Sequence, residues 1–158
     1  MEIPDSNEHS VAEIASEALQ AIINRMGLRA SVVVTEDTSE QVVLNMTGAD
    51  LAILIGRQGE TLNALQLIVG VIANRAAAGR ARIVLDAEGY RERRAEALRQ
   101  RAHEVARQVK ETGREALLES LLAFERRVIH LELAEDPDVY TYSEGEGEDR
   151  ALVISPRD

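Results

Sequence analysis

From Val11 onward the apolar residues return with the period of a helix. Val11, Ile14, Ala15, Ala18, Leu19, Ile22, Ile23 and Met26 follow i, i+3, i+4, i+7 spacing. Ser10-Val11-Ala12-Glu13 reads as a capping box at its start, and Gly27 as the residue that ends it. The period then drops to two. Residues 31–35 and 41–46 read as strands joined by the polar stretch 36–40, with Val42, Leu44 and Met46 on one face of the second. A short apolar helix, Leu51–Ile55, is followed by a longer one over 62–78 that opens at Glu60-Thr61. Residues 82–86 complete this half as a third strand, with Ile83 and Leu85 pointing one way, so the order is α-β-β-α-α-β.

Ala87-Glu88-Gly89 marks a boundary, and a second pattern begins at Tyr90. A long helix runs to about Thr112 with Leu98, Ala102, Val105 and Val109 on one stripe, and Arg91, Arg93, Arg94, Arg99, Arg101 and Arg107 on its other faces. Gly113 breaks it. A short strand over 115–118, a helix over 121–134 stopped by Pro137, and a hairpin of 139–143 with 151–154 then give α-β-α-β-β. The expectation is an α+β chain: a polar, disordered N-terminus over 1–9, one domain over 10–87 and a second over 88–158.

Composition narrows the chemistry. No cysteine means no disulfide scaffold, no cysteine-ligated zinc and no thiol nucleophile. No apolar run approaches the roughly 18 residues of a membrane-spanning helix, and the acidic start is unlike a signal peptide, so a cytoplasmic protein without an integral membrane segment is expected. The net charge of −10 argues against binding a polyanion until it is mapped along the chain. Residues 1–50 carry nine acids and two bases and residues 101–158 fourteen acids and eight bases, whereas 51–100 carry five acids and eight arginines. Phosphate feels the local field, because charges beyond roughly 8–10 Å are screened at physiological salt. Of the eighteen basic residues seventeen are Arg, whose planar guanidinium suits phosphate.

That positive stretch holds Gly56-Arg57-Gln58-Gly59. Two glycines so spaced allow backbone N–H groups to approach an anionic chain, and the helix opening at Glu60-Thr61 points its positive dipole end at the same place. Arg57 and Gln58 would project toward a bound strand, with Ile53, Ile55, Leu62 and Leu65 framing a groove for unstacked bases. The plain alternative is a helix–turn–helix connection that merely needs glycine.

Downstream, Arg126-Arg127-Val128-Ile129-His130 places an arginine and a histidine at i and i+4, on one helix face. A guanidinium beside an imidazole can hydrogen-bond one phosphate or sugar edge. Taken alone, a half-buried structural histidine with Arg126 paired to Glu125 or to the acidic turn explains the pattern better. Tyr140 and Tyr142 share a strand face, where base stacking and sheet packing are equally open readings.

No catalytic residue, metal site or cofactor is expected. The glycine loop lacks the Lys-Ser/Thr of a nucleotide-binding loop, and Glu60 follows it. His9, His103 and His130 fall in three separate segments without metal-ligand spacing.

Together the motifs resemble the Jag family, the SpoIIIJ-associated RNA-binding proteins. The resemblance rests on residues 54–66 (LIGRQGETLNALQ), 85–91 (LDAEGYR), Glu125-Arg126-Arg127-Val128-Ile129-His130 and Ser143-Glu144-Gly145-Glu146-Gly147. It implies a type II KH domain followed by a small R-x-x-x-H domain, in a bacterial, non-catalytic binder of single-stranded RNA or, by the same chemistry, single-stranded DNA. Gly56, Arg57, Gln58, Gly59, Glu60 and Thr61 would hold nucleic-acid backbone, and Arg126, Arg127 and His130 would form the second contact face. The resemblance also implies a small single-KH partner protein and a role in post-transcriptional regulation or RNA chaperoning tied to cell-envelope growth. The competing role is an adaptor in membrane-protein insertion or cell elongation, with RNA secondary. The chain is expected to do without the family's N-terminal Jag domain. Its segment before Arg126, Leu121-Leu122-Ala123-Phe124, lacks the usual proline.

Overall fold

The computed structural model describes residues 9–157, so the disordered stretch expected over 1–9 lies, except for His9, outside the described residues. The residues through Arg91 form one compact unit and those from Glu92 a second.

In the first unit, helix α1 (Val11–Arg25) starts at the expected capping box: the Glu13 N–H donates to Ser10 Oγ at 3.1 Å, and the Ser10 N–H to Glu13 Oε2 at 2.9 Å. Strands β1 (Ala30–Asp37) and β2 (Gln41–Gly48) are antiparallel, and β2 runs parallel to β3 (Arg82–Ala87), giving the sheet order β1-β2-β3. A parallel pair needs a long crossover, which here is α2 (Leu51–Ile55) and α3 (Glu60–Ala76). Alternation in β2 buries Val42, Leu44 and Met46, which meet Ala15, Leu19 and Ile23 of α1 and Leu62, Leu65, Val69 and Ala73 of α3 in one core. β1 is longer than its apolar pattern, because a bulge after Val34 lets Glu36 and Asp37 still pair with Val43 and Val42.

In the second unit, α4 (Tyr90–Thr112) buries Leu98, Ala102, Ala106 and Val109. Strands β4 (Ala116–Leu118), β5 (Val139–Glu144) and β6 (Ala151–Pro156) form an antiparallel sheet with β6 in the middle, and α5 (Ala123–Glu132) lies between β4 and β5 in sequence. Its core joins the α4 stripe to Leu118, Leu121, Ile129, Leu133, Val139, Leu152 and Ile154. α5 starts at Ala123, not at 121, because Leu121 is used as a buried core residue and Leu122 stays extended (φ −67°, ψ 159°). The architecture is α+β, with the two element orders read from the sequence.

Candidate nucleic-acid interfaces

Between α2 and α3 the chain turns through torsions that only glycine adopts freely. Gly56 sits at φ 71°, ψ −173°, and a Cβ there would lie 2.2 Å from Thr61 Oγ1. A 3-10 turn, Arg57–Gly59, follows, in which Gln58 (φ 56°) and Gly59 (φ 80°) are left-handed. A Cβ on Gly59 would lie 3.0 Å from the Tyr90 ring, so this glycine lets the loop settle on the start of α4. Gly59 caps α3 without a side chain; the Glu60 N–H donates to Arg57 O, and the other N–H groups of the first turn of this 17-residue helix face the loop. Arg57 is exposed and its guanidinium has no hydrogen-bond or ion-pair partner among the described residues; Gln58 is half-buried, and Glu60 places an exposed carboxylate in the first turn of α3.

The groove beside this loop is not framed as the sequence suggested. Leu62 and Leu65 are buried in the core, Ile55 is half-buried against it, and Ile53 is exposed. A groove of about 430 Å³ lies instead between α3 and β3, lined by Asn63, Gln66, Leu67, Gly70, Val71, Asn74 and Ile83. Side chains cover part of the β3 edge: Asn74 Nδ2 donates to Ala81 O (2.8 Å), the Leu85 N–H to Gln66 Oε1 (3.0 Å), and Arg91 Nε to Leu85 O (2.7 Å). By the alternation of a regular strand, Ile83 between them turns its peptide groups toward the groove. Asn74 Oδ1 is buried and has no hydrogen-bond partner among the described residues. The missed signal was a polar helical stripe, Asn63, Gln66, Gly70 and Asn74, running between two apolar faces of α3.

Arg91 belongs to the frame and not to a contact surface. Its guanidinium also donates to Asn63 Oδ1 (2.8 Å) and Gln66 Oε1 (3.0 Å), and burial lowers its pKa from the ordinary arginine value. Much of the arginine on α4 is likewise spent internally: Arg94 on Glu125, Arg99 on Glu92 and Glu96, Arg107 on Glu104 and Glu111.

In the second unit α5 brings Arg126, Arg127 and His130 together. Ala123, Arg126, Arg127, His130, Tyr142, Ser143 and Arg150 line a cleft of about 350 Å³. Glu125 does not neutralise Arg126, as the plainer reading of the sequence had it. The Glu125 side chain is fully buried, accepts from Arg94 Nε at 2.7 Å, and accepts the Leu122 N–H at 3.1 Å, which secures the helix start. Arg126 donates from Nη1 to Leu121 O (2.7 Å) and Arg150 O (3.4 Å), so its place is set by carbonyls and its charge is not cancelled. Nδ1 of His130 is 2.5 Å from Thr141 Oγ1, which fixes the ring and leaves Nε2 for a ligand. The Arg127 guanidinium has no hydrogen-bond or ion-pair partner among the described residues, and Arg150, which lies outside the expected site residues, adds a third guanidinium to the cleft.

The chain is similar to known proteins across both units. Residues 12–85 match the KhpA/KhpB KH domain family and residues 96–156 the R-x-x-x-H domain family. Curated relatives include the RNA-binding protein KhpB of Clostridium symbiosum, 36% identical over 94% of this chain and 67% of that protein. The RNA-binding protein KhpB of Lactiplantibacillus plantarum is 37% identical over 96% of this chain and 47% of the relative, and that of Bacillus subtilis 39% over 87% and 66%. The chain thus spans about half to two thirds of the length of these relatives.

Proposed function

The chain belongs to the KhpB/Jag family, and from that premise we propose a non-catalytic, cytoplasmic protein that binds single-stranded RNA through two domains, a KH domain over 10–87 and an R-x-x-x-H domain over 88–158. The observation that carries this reading is the G-x-x-G loop. Its glycine torsions keep side chains away from the uncapped start of α3, and the unpaired Arg57 stands beside it. Backbone N–H groups at a helix start, reinforced by one cation, form a site for phosphate. The neighbouring groove offers what a splayed base needs: an apolar wall at Leu67 and Val71, amide side chains, and strand-edge peptide groups at Ile83. In the second domain Arg126, Arg127, Arg150 and the free Nε2 of His130 converge on one cleft without a carboxylate among its lining residues, and hold a phosphate or sugar edge.

Filter binding of one RNA sequence and its DNA counterpart, at two salt concentrations, tests both sites. Arg57→Asp with Gln58→Asp is expected to weaken RNA binding strongly. Unchanged affinity removes the KH site from the proposal, and unchanged affinity of Arg126→Ala with His130→Ala removes the site in the second domain.

A protein partner is favoured by a separate observation. Beyond the groove wall, Ile68 and Ile72 are 49% and 41% exposed and form an apolar stripe on α3. The KH family that matches this chain spans two proteins, KhpA and KhpB, so a small single-KH protein would present the equivalent helix. We assign that partner to the stripe. Sedimentation of a mixture with a KhpA-type protein should show a complex that Ile68→Asp dissolves; a complex indifferent to Ile68→Asp places the partner elsewhere.

A further inference from the structure

The outer face of the second sheet carries an exposed patch that the cation cleft does not explain. Successive residues of a strand point to opposite faces. Thr141 reaches His130 on the helix side, so Tyr140 and Tyr142 stand on the other. The register puts Leu117, Val153 and Tyr142 in one row across β4, β6 and β5. The Tyr142 hydroxyl donates to Glu115 Oε2 at 3.4 Å, beside β4, so the phenol lies across the central strand. Val153 beneath it is buried, while Tyr140 and Tyr142 are 43% and 39% exposed. The two rings are within 24° of parallel, with centroids 5.9 Å apart. The whole chain has three tyrosines, one phenylalanine and no tryptophan, so half of its aromatic side chains stand together on this exposed strand.

Two features choose the occupant. Tyr142 also borders the cleft that holds Arg126, Arg127, His130 and Arg150, and β5 is the edge strand of its sheet, so a single strand can pass from the cations to the rings around one strand edge. The rings themselves are flanked by acids: partial desolvation, then Glu115 and Glu144, raise the Tyr142 phenol above its ordinary pKa and keep it neutral. A phosphate over these rings would meet like charge, whereas an uncharged base would not. We infer that Tyr140 and Tyr142 are a stacking platform for the nucleobases of a single strand whose phosphates lie in the Arg126–His130 cleft. This rests on the RNA-binding reading and extends it, because it makes the second domain a reader of bases as well as of backbone.

The absence of tryptophan allows a direct test. In the full chain carrying Tyr90→Phe, only Tyr140 and Tyr142 emit. Titration with a short oligoadenylate should quench that emission saturably, and an abasic oligomer of equal length should not. Tyr142→Leu, which still covers Val153, should weaken oligoadenylate binding about tenfold, within the usual worth of a base–aromatic stack. Tyr142→Phe, which keeps the ring and loses the hydroxyl, should bind like its parent. If oligoadenylate binds and Arg126→Ala with His130→Ala weakens it, yet emission is unchanged and Tyr142→Leu binds like its parent, the platform is refuted and the phosphate grip stands. If oligoadenylate does not bind at all, both fall. If Tyr142→Leu alters self-association and not oligomer affinity, the face is a protein interface and the platform is refuted.

Discussion

Gly56 is constrained twice, by its torsions and by Thr61. Gly56→Ala is therefore expected to lower unfolding stability by about 1–3 kcal/mol, the usual range for forcing a side chain into a glycine-only region. Chemical denaturation measures it, and the same variant should bind RNA worse than its stability loss explains. Asp50 supplies a pH prediction. Its carboxylate accepts the Arg29 N–H at 2.6 Å and pairs with the Arg29 guanidinium at 3.3 Å, and these contacts, the backbone one first, hold its pKa below the ordinary carboxylate value. A depressed folded pKa contributes stability above the unfolded value and loses it as pH falls through the folded one. Asp50→Asn should therefore be less stable than wild type at neutral pH, with the gap closing below about pH 4. A gap that persists in acid would mean the charge of Asp50 is irrelevant. At this scale the sequence showed Gly56, Arg57, Arg126 and His130 by their spacing. It hid the jobs of Asp50 and Glu125, because the partners are distant in the chain, 21 residues for Arg29–Asp50 and 31 for Arg94–Glu125.

At the scale of elements, α5 depends on one buried acid. Glu125 holds the helix start through the Leu122 N–H and ties α5 to α4 through Arg94. Glu125→Ala removes both links and leaves the part-buried Arg94 unpaired, so a loss of about 3 kcal/mol is expected, at the low end for breaking a buried pair. Urea denaturation of the full chain checks it, and His130 should lose its fixed ring in the same variant. Helix α3 divides its surface four ways. Leu62, Leu65, Val69 and Ala73 face the core, Asn63, Gln66, Gly70 and Asn74 face the groove, Leu67 and Val71 share the groove wall, and Ile68 and Ile72 form the apolar stripe. Periodicity identified the helix but could not choose among these apolar rows. Three of its four faces are apolar enough to be core, and only the position of the sheet settles which one is.

At the scale of the molecule, the charge of −10 and the proposed RNA binding are compatible because the acids are spent or placed apart. On α4, Arg94, Arg99 and Arg107 are paired internally, whereas the guanidinium groups of Arg57 in the glycine loop and Arg127 on α5 are not. RNA affinity should therefore fall steeply with salt, and each phosphate contact removed should flatten log K against log salt by about 0.7 for a single strand. Arg57→Ala and Arg127→Ala should each flatten the slope by about one such unit, while Arg101→Ala, on the same acidic chain but outside both clefts, should leave it unchanged. A slope that responds equally to all three would mean a diffuse field and no defined site.

Taken alone, the sequence determined the elements, their order and the two sets of motif residues. Those are local properties: helical and strand periods, a capping box, glycines at a fixed spacing, and an arginine and histidine one helical turn apart. Only the tertiary structure decided which apolar face of α3 is core, that the groove runs along β3 and not between Leu62 and Leu65, and that Glu125 serves Arg94 and leaves Arg126 its charge. It also placed Tyr142 against both the cation cleft and the open sheet face. The physical reason is the same in each case. A side chain's period reports the face it shares with near neighbours, while its charge state, burial and ligand access depend on what the fold packs against that face.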